Sequence, residues 1–187
     1  MAALLHRYSK SAETALDQDL RACRSDDPIG KLLTNVRRDA GAFGAVANDF
    51  KGALNDKGAL FAAYIACRHQ GLSDLFSNSQ ILLQANVDRH HILPRAQFEE
   101  SKRAKADAVA NIAFITGEVN RSIGAASPDV YLGKLKRETL ESQCIPLDRS
   151  LWGVDRAEDF WAARRDLLAE AFNGFLRKML PGRRILQ

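Results

Sequence analysis

The chain has 187 residues, 46% of them hydrophobic and 27% charged, the balance of a globular protein and not of a disordered or fibrous one. No run of residues reaches the apolar length needed to cross a bilayer, and three widely spaced cysteines, Cys23, Cys67 and Cys144, argue against both a disulfide framework and a zinc knuckle. A net charge of +4 leans towards a polyanionic partner without deciding the matter.

In chain order, Met1 to Leu5 are apolar only briefly before His6 and Arg7, too short for a signal peptide, so a cytoplasmic location is expected. From Ser11 to about Val36 the apolar spacing is helical. Leu16 and Leu20 fall on one face of a first helix, and Asp26-Asp27-Pro28 caps a second that carries Ile29, Leu32, Leu33 and Val36. Gly41, Gly44, Gly52 and Gly58 interrupt the next stretch, which is expected to be irregular and anchored by Phe43, Val46 and Phe50. A third helix is expected from about Lys57 to His69, burying Leu60, Phe61, Tyr64 and Ile65 and stopping at Gly71. Val87 to Pro94 and Ile112 to Thr116 carry the extended runs of two strands, with the charged stretch Glu99 to Asp107 between them. Gly117 to Gly124 and Ser127 to Leu135 read as short helices, the second with Ser127 as N-cap and Pro128 in its first turn. From Asp155 to Leu180 the stripe Phe160, Leu167, Ala171, Phe172, Phe175 and Met179 marks the longest helix, with Asp155 and Glu158 spaced as a capping box. Trp152 and Trp161 are expected to pack in the core and not to stack on bases, and the three cysteines to be reduced and mostly buried.

The polar residues of interest gather in Asp88-Arg89-His90-His91-Ile92-Leu93-Pro94, then Asn111-Ile112-Ala113-Phe114-Ile115, then Asn120-Arg121. Adjacent histidines on an extended segment point to opposite sides. A division of labour follows, one binding metal and the other handling protons. Histidine, with an ordinary pKa of about 6.5, offers a neutral imidazole near pH 7 that takes a proton from water. Phosphodiester hydrolysis also requires positive charge near the non-bridging and leaving oxygens, which a divalent cation supplies, and imidazole and amide oxygen suit such an ion. A His-His pair alone is more often a surface pair or a satisfied core histidine; its spacing to Asn111 and Asn120 lifts it above that reading.

At these positions the sequence resembles the HNH (ββα-metal) nucleases, in particular the C-terminal nuclease region of the bacterial family that joins a ParB-like nucleotide-hydrolysing domain to an HNH domain, as in the GmrSD type IV restriction enzymes. The likeness runs over His-His-Ile-x-Pro, Asn-Ile-x-Phe-Ile and Asn-Arg, then Pro128 and Tyr131-Leu132. It implies His91 as general base, with Asn111 beside it in the catalytic set as brace of the loop. It also implies His90 and Asn120 as ligands of one divalent cation, Mg²⁺ or Mn²⁺. The implied fold is a mainly helical α+β protein enclosing one ββα-metal motif. Residues 1–80 would form a helical region resembling the linker to an absent ParB-like half, and residues 81–187 the nuclease domain with its C-terminal helix. The implied activity is endonucleolytic hydrolysis of DNA to 5′-phosphate products, in restriction of foreign or modified DNA and defence against phage. DNA and a ParB-like nucleotide-hydrolysing chain would be the partners. The rivals are a non-catalytic nucleic-acid-binding or assembly module that keeps the scaffold, and a hydrolase of another phosphoester.

Arg89, Arg95, Arg121, Lys102 and Arg103 are the candidate DNA contacts. For Lys102 and Arg103, with Lys105, the flanking Glu99, Glu100 and Asp107 make a solvated helical face an equal alternative. Lys134, Lys136, Arg137, Arg183 and Arg184 carry the same ambiguity, and His6 and His69 read as solvent-facing.

Overall fold

A computed structural model describes residues 8, 12–41, 43–82, 86–116, 127–181 and 185. It is mainly helical with one small antiparallel sheet, an α+β arrangement. Helices α1 (Glu13–Cys23) and α2 (Pro28–Ala40) pack on each other. Pro28 pre-sets the first turn of α2, and the Asp27 carboxylate accepts from the Gly30 amide at 3.0 Å, supplying one of the partners a helix start lacks. Leu16 and Leu20 were expected to be covered, but each is 49% exposed. The inward face of α1 is instead Asp19 and Ala22, and Asp19 accepts from the Asn35 amide at 2.8 Å. A polar contact thus holds the face that an apolar stripe was expected to hold.

Helix α3 (Lys57–His69) starts on the Asp56 carboxylate, which accepts from the Ala59 amide, and its exit passes through Gly71 at φ +80. Its buried face is small: Ala59, Ala62, Ala63, Ala66 and Cys67. Small side chains let it lie close against the last helix, and Phe61 is left 56% exposed on the opposite side. In the irregular segment before it, Phe43 and Phe50 are buried as expected. Val46 is 51% exposed, because its amide is held at the surface by the Asp49 carboxylate.

Strands β1 (Val87–His91) and β2 (Ile112–Thr116) pair antiparallel, with His90 opposite Ala113 and His91 opposite Ile112. β1 ends three residues before the expected Pro94, because Ile92 and Leu93 turn inward and are wholly buried. The charged stretch forms a 3-10 helix, Glu100–Asp107. The sheet separates two hydrophobic clusters. Ile112 and Phe114 face the first, with Phe50, the α3 alanines, Leu168 and Phe172; Ala113 and Ile115 face the second, with Ile92, Leu93, Phe98, Tyr131 and Trp152. The first cluster draws side chains from both sides of residue 80.

Side chains occupy the edge of β2 where a third strand would pair. Arg164 donates to the Ile112 carbonyl at 2.8 Å, and Gln143 both accepts from the Phe114 amide at 3.1 Å and donates to its carbonyl at 2.6 Å. Asp74 accepts from the Thr116 amide at 2.7 Å. The outward backbone groups of alternate residues are thereby satisfied away from water.

Helices α4 (Pro128–Leu132) and α5 (Arg137–Ser142) are short. α4 stops three residues before the expected Leu135, and the Ser127 hydroxyl goes to the Asp129 carboxylate instead of capping an amide. Helix α6 (Ala157–Met179) buries the series Phe160, Arg164, Leu168, Phe172 and Leu176, one residue per turn. Leu167 (37% exposed) and Met179 (59% exposed) lie off that stripe. The expected Asp155–Glu158 capping box does not form; a 3-10 turn, Val154–Arg156, leads into the helix, and Glu158 pairs with Lys105 at 3.1 Å. Trp152 and Trp161 are both in the second cluster, in keeping with a packing role. Among the described residues no helix is long and apolar enough to cross a membrane. The expected helix Gly117 to Gly124 lies outside the described residues, so the third element of a ββα unit is not seen.

Candidate active site

The end of β1 carries the two histidines on opposite faces of the sheet. His91, opposite Ile112, lies on the side of the first cluster, and its Nε2 is 2.9 Å from Oδ1 of Asp107. The two side chains are 28% and 29% exposed, enclosed enough to be held in one geometry yet open to a small reactant. Asp107 is the last residue of the 3-10 helix, and its carbonyl is fixed by the Leu54 amide at 2.8 Å. A carboxylate accepting from Nε2–H selects the tautomer in which Nδ1 keeps its lone pair. His91 then presents a base nitrogen away from Asp107. In the sequence Asp107 reads only as an acid flanking a basic run; sixteen residues separate it from His91, and no local periodicity links them.

Asn111 is wholly buried, and its side chain is spent on the main chain. Nδ2 donates to the Leu93 carbonyl at 3.0 Å and to the Ala106 carbonyl at 2.8 Å, while Oδ1 accepts from the Leu93 amide at 2.9 Å. Its own carbonyl accepts from the Ile92 amide at 2.8 Å. The two residues that follow His91 are thus fastened to the residue that precedes β2. Both donors and the acceptor of the Asn111 side chain are thus engaged inside the protein.

His90, opposite Ala113, lies on the other face. Its ring stands edge-on to Phe76 and Tyr131, with centroids 5.8 and 6.2 Å away and Nε2 buried. The Tyr131 hydroxyl donates to the Ile92 carbonyl at 2.6 Å, and burial pushes that phenol far above its ordinary pKa, so it remains a donor. Phe76 is placed by Asp74, which accepts from the amides of Phe76 and Ser77 at 3.0 Å each and from the Thr116 amide and hydroxyl. Burial pushes the Asp74 carboxyl up, but these four hydrogen bonds outweigh it and hold the pKa below the usual carboxylate range. Asp74 and Tyr131 therefore fix the surroundings of His90 from two sides.

No group of three His, Cys, Asp or Glu side chains that could hold a metal ion occurs among the described residues. His90 brings one imidazole; Asn120, expected as the other ligand, and Arg121 lie outside the described residues. Arg183 and Arg184 also fall outside them.

Of the basic residues, Arg89 is exposed and two residues before His91 on the same face of β1. Arg95, Lys102 and Arg103 are exposed on the excursion between the strands. Lys102 pairs with Glu99 at 3.0 Å, a solvent-exposed contact of the kind that a phosphate can displace at small cost. His69 is half-buried against Phe175, not fully solvent-facing. Comparison of the chain with family models, curated protein sequences and solved structures returns no match.

Proposed function

We propose that the chain is a metal-dependent endonuclease of the HNH type that hydrolyses DNA phosphodiester bonds, acting in the cytoplasm in restriction of foreign or modified DNA. The observation that carries the proposal is the 2.9 Å contact of His91 Nε2 with Asp107, on a strand end that Asn111 ties down. A histidine with its tautomer set by a carboxylate and its second nitrogen turned away is equipped to take a proton from water. His91 Nδ1 removes the proton as the water oxygen attacks phosphorus in line with the departing 3′ oxygen. Asp107 stabilises the imidazolium that forms and keeps the ring from rotating. Arg89, on the same face, offers a contact to a neighbouring phosphate. A Mg²⁺ or Mn²⁺ ion would supply charge stabilisation at the non-bridging and leaving oxygens; the resemblance implies His90 and Asn120 as its ligands, and His90 would have to reach that ion from the face of β1 opposite His91. A ParB-like nucleotide-hydrolysing chain is the partner this reading implies.

The test is cleavage of plasmid DNA, and separately of a generic phosphodiester, with Mg²⁺, Mn²⁺ or chelator. Cation-dependent cutting of plasmid is expected from the wild type. His91→Ala should keep cation binding, measured by calorimetry, yet lose cleavage at any metal concentration. His90→Ala should weaken cation binding first and recover part of its activity at high metal. Cleavage by both variants at the wild-type rate would remove the proposed site, and turnover of the generic diester without plasmid cutting would reassign the substrate. The reversed pattern, His91→Ala losing the cation and His90→Ala losing only turnover, would exchange the two roles.

A further inference from the structure

Phe61, at 56%, is the most exposed aromatic side chain among the described residues, and it belongs to neither hydrophobic cluster. A lone surface phenylalanine is ordinary, but this one stands in a row. At 3.6 residues per turn, Lys57, Phe61, Tyr64 and Arg68 fall within about 60° of one another around α3, a stripe about 17 Å long on the side away from the buried alanines. Cations and aromatic rings therefore share one line. Helix α3 contains no Asp or Glu, and among the described residues no carboxylate pairs with Lys57, Arg68 or Arg89. Two contacts set this stripe beside the candidate site. Just before α3, the Leu54 amide donates to the carbonyl of Asp107, the residue that holds His91. Two turns into the helix, the half-buried Tyr64 ring stands edge-on to Phe114 at 5.2 Å, and Phe114 is directly opposite Arg89 in the sheet. Arg89 is exposed on the same face of β1 as His91. The helix thus begins at the His91 end of the sheet and carries Tyr64 past Arg89.

We propose that this face binds a DNA strand whose bases are unpaired and leads it to His91, with bases stacked on Phe61 and Tyr64 and phosphates on Lys57, Arg68 and Arg89. The inference names the form of the substrate for the nuclease reading, and rests on that reading only for what happens at His91. A strand offers phosphates and flat base faces in alternation, and a line of cations interleaved with aromatic rings meets both. A duplex does not fit this face in the same way. Its bases cover one another, so it presents only edges and backbone, and Phe61 gains no stacking partner from it. Two members of the stripe are already held in place: Tyr64 rests on Phe114, and the Arg68 guanidinium donates to the Ile81 carbonyl. Binding therefore costs little further ordering of those side chains. Supercoiled plasmid remains a usable substrate, because negative supercoiling favours local separation of the strands.

The test is anisotropy of a fluorescein-labelled oligothymidylate of about twelve nucleotides, and of a duplex of equal length, with chelator present so that nothing is cut. The full chain should prefer the single strand. Phe61→Ala should weaken that affinity about tenfold with the thermal midpoint unchanged, since the side chain is exposed, and should leave duplex affinity as it was. Phe61→Trp should restore single-strand affinity, and its added emission should be quenched as the oligothymidylate saturates, above the background of the buried Trp152 and Trp161. Lys57→Ala should lower the logarithmic salt slope by about 0.7. No single-strand binding at low salt, equal affinity for the duplex, or full affinity in a folded Phe61→Ala would each overturn the proposal. Phe61-dependent binding without cleavage in Mg²⁺ would leave it standing and remove the nuclease reading; cleavage of duplex at the wild-type rate by Phe61→Ala, with no single-strand preference, would do the reverse.

Discussion

Truncating Asn111 to alanine removes three hydrogen bonds at once and leaves the Leu93 amide, the Leu93 carbonyl and the Ala106 carbonyl without their partner. The position is fully buried, so bulk water does not replace the lost amide directly. A buried polar group left unsatisfied costs about 1–3 kcal/mol. With partial relaxation of the loop, three such groups should cost about 3–5 kcal/mol, a large share of the roughly 5–15 kcal/mol that stabilises a typical domain. For a chain of this size each kcal/mol lowers the thermal midpoint by about 2–4 °C, so a fall of about 6–20 °C is expected. Asn111→Asp keeps an acceptor for the Leu93 amide but turns a buried carboxylate towards two carbonyl oxygens, and should be at least as damaging. The assay is denaturant unfolding followed through the two tryptophans, with cleavage measured well below both midpoints, where a loss of about tenfold or more is expected from the misplaced strand end. A stability change under about 1 kcal/mol would refute the bracing role. Unchanged stability together with lost cleavage would place Asn111 among the residues that touch substrate.

Asp107→Asn should leave the fold intact but lower turnover by about a hundredfold or more with little change in KM, since an amide can donate to Nε2 and force the proton onto Nδ1; equal turnover in plasmid cleavage would show that Asp107 does not set the tautomer. Asp74 is held below its ordinary carboxylate pKa, so its contribution is present above the unfolded value of about 3.9 and lost as pH falls through the folded pKa. Denaturation midpoints should therefore drop on acidification below about pH 4, and Asp74→Asn should be less stable at neutral pH with a flatter acid limb; parallel pH curves for the two proteins would contradict this. DNA affinity should fall steeply with salt, and Arg89→Ala and Arg95→Ala should each reduce the logarithmic slope by about one; a salt-insensitive affinity would count against a surface that follows the phosphates.

The elements that the sequence makes legible are those with local signals. Asp27-Pro28 marks the start of α2, Gly71 follows the end of α3, and the bounds of β2 coincide with the apolar run Ile112 to Thr116. Strand alternation alone also separates the faces of His90 and His91. Helix faces are less legible wherever alanine does the packing: α3 buries its alanines most deeply and exposes Phe61, while Leu60, Tyr64 and Ile65 pack against the cluster only partly buried, so counting large apolar residues misses the most buried positions. The polar supports are hidden for another reason. Arg164 sits in the stripe between Phe160 and Leu168, where a charged residue reads as a solvated one, and its carbonyl partner Ala110 lies 54 positions away. Asp74 reaches Thr116 across 42 positions, and Gln143 reaches Phe114 across 29. Such contacts depend on the tertiary fold bringing each pair together, and neither member carries a signal of it alone.

The sheet that separates the two hydrophobic clusters makes parity consequential for this chain. Each residue of β1 is assigned to one compartment by whether its position is odd or even, so a slip of β1 along β2 that put His90 opposite Ile112 would exchange the faces of the two imidazoles, turning His90 towards Asp107 and His91 towards the side of Phe76 and Tyr131. The excursion that carries Arg95, Lys102 and Arg103 has no such constraint, since its length does not alter the alternation of either strand. Changes of length in that excursion can therefore reshape the basic surface offered to a polyanion while the assignment of the histidines to their compartments is preserved.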